Sequence, residues 1–193
     1  MRGGTDVALQ LVLPAGFVVL DAEEGALVDV VSVPAELEPW WQGVRADRAG
    51  SGALLAAVAW GRVDVPGGER VATTVSLVVH LLPLPPEEPA VVVAGLHGIA
   101  RARTSTAGEV CMLDLALGTA VASADVVDVL TDDGAHRAAT AVVQLPVPEL
   151  GGLLTLTLST PDPADLAPCA ALAAALAGRV TLTASETSGE HAT

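Results

Sequence analysis

Leucine and threonine alternate through residues 153–160, LLTLTLST, and the same two-residue beat recurs along much of the chain. A period of two sends every second side chain to one side of an extended strand. Residues 136–160, HRAATAVVQLPVPELGGLLTLTLST, therefore predict two strands around a Pro/Gly-rich turn. Pro161-Asp162-Pro163 ends the second strand, and an Ala/Leu helix follows. Pro168 is harmless only where its nitrogen is one of the unpaired first-turn donors, so it stands no later than the third helical position. That places Asp165 at the N-cap, the helix end at Ala177 and the stop at Gly178. Leu166, Ala170, Ala173, Leu176 and Ala177 form its predicted buried stripe.

The same pattern continues upstream. Val7, Leu9, Leu11 and Leu13 mark a strand ending at Pro14. Residues 26–33 read equally well as a strand or a helical turn. From Ala35 to Ala49 the spacing of Leu37, Trp40, Trp41 and Val44 is helical, with Pro39 in the first turn and Arg45 and Arg48 late. A long hairpin is expected over 53–65 and 69–83 around Pro66-Gly67-Gly68, then a stop at LPLPPEEP. A helix over 89–101 would bury Val92, Leu96, Ile99 and Ala100. A strand at 109–117 leads to a hairpin whose type I′ turn is expected at Asp133-Gly134. In that register Leu130 faces Arg137, Asp128 faces Ala139, and Asp128 and Asp132 lie diagonally from Arg137.

Hairpin connections make the sheet antiparallel, with about six strands and helices packed on it: an α+β sandwich. Residues 1–184 read as a single domain and 185–193 as a disordered tail.

Composition narrows the chemistry. The 193 residues contain no Lys, Asn or Tyr, one Ile and one Phe. Those types have AT-rich codons, the mark of a GC-rich bacterial genome. The core must then be built of Val, Leu and Ala. Without Lys there is no Schiff base, Ser-Lys pair or P-loop lysine, and without Asn or Tyr two common acid/base or oxyanion partners are missing. A net charge of −14 with nine Arg as the only fixed cations excludes a nucleic-acid footprint and disfavours anionic membranes. Asp6 and Gln10 interrupt any signal-peptide core, and no apolar run reaches membrane-spanning length. The expected location is cytoplasmic, with Cys111 and Cys169 reduced.

The stretches GALLAAVAW and VATTVSLVVHLLPLP, with VVQLPVPELGGLLTLTLSTPDP and the closing Ala/Leu helix, resemble a family of uncharacterised actinobacterial proteins. These are similar to the PsbP-like α/β/α sandwich. The resemblance covers roughly residues 50–180 and is sharpest at Leu145-Pro146-Val147-Pro148 and Ser159-Thr160-Pro161. It implies a non-catalytic role, because members act by docking to other proteins, and it carries over no functional residue. The Ala-rich closing helix departs from the family's aromatic one, and the lipoprotein members' anchor cysteine is absent.

Asp125, Asp128, Asp132 and Asp133 form an acid cluster, but their spacing runs along a strand rather than a tight calcium loop. Residues 104–178 hold nine acids against Arg137, a balance of −8, which suits an acidic docking face. Adjacent Trp40 and Trp41 point about 100° apart on a helix, so an exposed member would anchor a partner. Cys111 and Cys169 are expected to be buried structural thiols, although Cys169 starts a helix, where the dipole lowers a thiol pKa. His80 reads as a core or edge histidine, and Ser159 lacks a nucleophile elbow.

These residues predict no catalytic group, cofactor or metal. The expected function is a protein–protein interaction or accessory module docking through Trp40, Trp41, Asp128, Asp132 and Asp133 to a protein with a basic face. Self-association through an open sheet edge is compatible with this. The alternative is a binder of small apolar ligands, and a hydrolase comes last.

Overall fold

Strand β8 (Gly152–Thr160) turns Leu154, Leu156 and Leu158 to one side, and all three are fully buried. Removing a leucine side chain from water contributes about 2 kcal/mol, so these three alone make β8 the anchor of the core. The computed structural model describes residues 6–19, 53–64, 70–84, 87–131 and 134–185. Nine strands are present among them: β1 (Asp6–Leu11), β2 (Phe17–Val19), β3 (Leu55–Asp64), β4 (Arg70–Pro83), β5 (Glu109–Leu115), β6 (Gly118–Thr131), β7 (Gly134–Val147), β8 and β9 (Val180–Ser185).

Seven strands form one antiparallel sheet in the order β2-β3-β4-β8-β7-β6-β5, one more than the about six expected. The architecture is α+β, with two helices packed on this sheet. The β3–β4 hairpin pairs from Leu55↔Val79 to Asp64↔Arg70 and matches the predicted arms. The β9 strand was not foreseen. It pairs with β1 as a separate two-stranded ribbon, from Asp6↔Ser185 to Leu11↔Val180. Ser185, assigned above to the tail, ends this strand, and 186–193 lie outside the described residues.

Helix α1 (Pro89–Arg103) begins at the proline, where the missing N–H is harmless, and carries Arg101 and Arg103 at its C-terminal end. It buries Val93, with Val92, Leu96 and Ala100 half-buried; Ile99, expected inside, is 53% exposed. Val93 sits a quarter-turn from the expected stripe, which moves the contact face away from Ile99. Helix α2 (Leu166–Ala177) has the predicted bounds, with Asp165 at the N-cap position and Pro168 third. The Asp162 carboxylate accepts from Ala164 N–H at 2.9 Å and caps the preceding 3-10 turn (Pro163–Asp165). The α2 side chains that go fully inside are Cys169, Leu172, Ala173, Leu176 and Ala177, so Leu166 and Ala170 lie at the margin of the stripe.

The two helices cover opposite faces. α2 packs on β6, β7 and β8 within the main core of Leu77, Val143, Leu145, Leu154, Leu156 and Leu158, onto which Leu9, Leu11 and Leu182 of the ribbon also pack. α1 lies over β5, β6 and β7 on the other side, where Val93 and Val121 are buried outside that core. That second face is polar across its middle: Thr155 of β8 stands between His80 of β4 and Gln144 of β7. Ser159 bridges Thr140 at 3.2 Å and accepts a long bond from Ser76 on its carbonyl at 3.4 Å.

Candidate docking surface

The β6–β7 hairpin outgrows its neighbours. β5 pairs with β6 only as far as Glu109↔Ala124, and β8 pairs with β7 only as far as Ala139↔Thr160. Beyond those limits the two strands keep pairing with each other alone through Asp128↔Arg137, Val129↔His136, Leu130↔Ala135 and Thr131↔Gly134. An isolated two-stranded hairpin is marginal in water. This one is held at its root, where Ala138 and Ala139 are buried.

The pairing corrects the predicted register. The ladder closes on Thr131↔Gly134, so Gly134 belongs to β7 and not to the turn expected at Asp133-Gly134. Moving the connection back by one residue slides β6 two places along β7. A slide of two preserves the faces, so the alternation was satisfied by either choice. Asp128 consequently stands directly across from Arg137 instead of diagonal to it.

The arm has two unlike faces. Asp128 and Arg137, both exposed, project on the α2 side; Val127 and Val129, 37% and 41% exposed, project on the α1 side with His136. Directly opposed unlike charges favour the pairing modestly, by roughly 0.2–1 kcal/mol. The exposed part of these valines leaves apolar surface open to a partner. The signal for this surface was present in the run DVVDVL, whose valines continue past the end of β5.

Asp125 fixes the root of the arm. Its carboxylate accepts from Ser105 N–H and from Ser105 Oγ, each at 2.6 Å, and from Val126 N–H at 2.8 Å. The Ser105 hydroxyl first, and then the Ser105 amide, hold this carboxyl below its ordinary value of 3.8. These bonds tie the turn after α1 onto β6. Gly108 allows the approach, because a Cβ there would meet the Ala124 carbonyl oxygen at 2.7 Å. Asp125 therefore serves the fold. It also points to the opposite face from Asp128, so these two acids are not brought together, and no group of three or more metal-ligating side chains exists among the described residues.

Asp132, Asp133, Trp40 and Trp41, with the expected helix over 35–49 and the run 26–33, lie outside the described residues. Cys169 is buried as expected. Burial pushes its thiol up to about 12, which overrides the helix-dipole effect anticipated from its position. Cys111 departs from expectation: it is exposed, because β5 is the outermost strand of the sheet as described. Beside it lies a shallow cleft of about 60 Å³ between β5–β7 and α2, lined by Glu109, Cys111, Leu113, Ala170 and Ala173. Small-molecule sites usually hold about 300–1,000 Å³, so this cleft offers no seat for the alternative apolar ligand. His80 is half-buried in β4, in keeping with a core or edge histidine, and Thr160 is a fully buried strand end whose hydroxyl accepts from Asp162 N–H at 3.3 Å.

No protein-family model matches the chain, and no curated protein does. Among solved structures it is similar to LpqN, described as involved in cell envelope biogenesis of Mycobacterium tuberculosis. The TM-score is 0.49 and the identity 13%, over 94% of this chain and 86% of that one. A likeness of that size carries no functional meaning, and the PsbP-like resemblance remains a resemblance. No helix among the described residues is long and apolar enough to cross a membrane.

Proposed function

We propose that this protein is a non-catalytic interaction module that docks another protein through the outer β6–β7 arm. The observation that carries the reading is the arm itself. It extends past both flanking strands and bears Val127 and Val129 on one face and the Asp128–Arg137 pair on the other. The balance of −8 over residues 104–178 favours a partner with a basic face. The shortage of acid/base partners in the sequence supports a binding role over turnover.

The test is affinity capture from the source organism with wild type, Val129→Arg and Asp128→Arg as baits. A specific protein is expected on wild type and lost from both variants. Its retention should fall as salt rises from about 0.05 to about 0.5 M, because exposed charges are screened. Equal recovery on all three baits would remove the arm as the docking surface.

A further inference from the structure

The outer edge of β5 has a geometry that fits a second copy of itself, a surface distinct from the arm. The β5–β6 hairpin turns on Ala116-Leu117 and closes with Leu115↔Gly118. In a two-residue hairpin the closing pair is hydrogen-bonded, and every second pair after it is too. The odd-numbered residues of β5 therefore spend their backbone groups on β6. The even ones, Val110, Met112 and Asp114, direct N–H and C=O away from the sheet.

The neighbouring hairpin gives the same answer. Closure at Thr131↔Gly134 commits the odd residues of β6 to β7 and leaves its even residues for β5. Val126 N–H, an even position beyond the end of β5, is taken instead by the Asp125 carboxylate.

β5 contains no proline or lysine, and its ladder from Glu109↔Ala124 to Leu115↔Gly118 runs without a bulge. Met112, at its centre, is 59% exposed. An antiparallel copy can bond through the even residues with the twofold axis at Met112. All seven residues then pair. Met112 meets Met112, Val110 meets Asp114, Cys111 meets Leu113 and Glu109 meets Leu115. No like charges stand opposite one another, and each contact is returned by symmetry, as a twofold interface requires. Sliding the copies by two residues either way loses pairs.

We propose that the chain forms a twofold dimer by β5–β5 addition in this register, joining the two sheets into one. Each copy carries −14, so long-range repulsion opposes the contact and salt should strengthen it. An extended basic peptide on the same edge would respond to salt in the opposite sense.

The experiment is analytical ultracentrifugation of the full chain at about 0.1 mM, from about 0.05 to about 0.5 M salt. The expected result is a dimer whose fraction rises with salt. Met112→Arg sets like charges on the axis and should weaken dimerisation at least about tenfold. Met112→Pro, which removes an outward donor while sparing β6, should also give monomer, with an unchanged circular dichroism spectrum for both variants. Register is read separately with Leu113→Cys. Opposed residues of a non-hydrogen-bonded pair lie about 4.5 Å apart between Cα atoms, within disulfide range, so mild oxidation should give covalent dimers through Cys111. Wild type should not cross-link. A monomer at every salt concentration, a dimer indifferent to Met112→Arg, or a dimer in which Leu113→Cys fails to cross-link would overturn the proposal.

Discussion

Strand β8 and the outer half of β6 are both regular antiparallel strands rich in branched aliphatic residues, yet their fates differ. Leu156 is fully buried, with β4 and β7 on either side and α2 beneath; Val129 is 41% exposed, with β7 as the one strand paired to it among the described residues. Local alternation is the same in both. What separates scaffold from surface is how far the flanking strands extend, which is a matter of strand length rather than residue type.

The sharpest way to break that contrast is Leu156→Ala. Deleting a fully enclosed leucine should cost about 2–5 kcal/mol in urea unfolding, and a loss comparable to that of a surface change would mean β8 is not the anchor. Asp125→Ala probes the boundary between the two regions and should cost about 1 kcal/mol near neutral pH, for the bonds from Ser105 and Val126. Because the folded carboxyl titrates below 3.8, its stabilisation is complete above that value and disappears as the pH falls through the lower folded value. Wild type and variant should therefore converge in acid; a constant gap in pH-dependent unfolding would contradict the hydrogen-bonded carboxylate.

How much of this was legible in the sequence follows the same division. The β3–β4 hairpin, β7, β8 and both ends of α2 could be read because prolines and glycines bound each one. The β1–β9 ribbon was not legible, since Val180–Ser185 finds its partner at the far end of the chain and no local turn announces it. Register at the tip of β6–β7 failed for a different reason: Asp-Gly is a strong turn pair, but the ladder closes one residue earlier, and alternation cannot distinguish a slide of two. Exposure of Cys111 depended on strand order in the sheet, which composition does not encode. Asp125 and Asp128 fall on opposite faces by their odd separation along one strand, but which residue stands opposite each acid needed the register.

Two smaller effects sharpen the contrast. Thr155 Oγ is buried without a hydrogen-bond partner among the described residues. Thr155→Val should consequently be neutral or stabilising, by up to about 1 kcal/mol in thermal unfolding, and a clear loss would reveal a bond to that hydroxyl. Val129→Ser should shift stability by no more than about 0.5 kcal/mol while lowering partner capture. If it unfolded the protein, the arm would belong to the scaffold.

The ribbon has a practical consequence for protein engineering. Asp6 and Ser185 face each other across β1 and β9, so a few residues would suffice to splice the two ends into a closed loop. Opening that loop at Ala116-Leu117 would yield a permuted chain that retains every strand pair while β5 becomes its last element, a rearrangement that leaves the long-range core contacts in place.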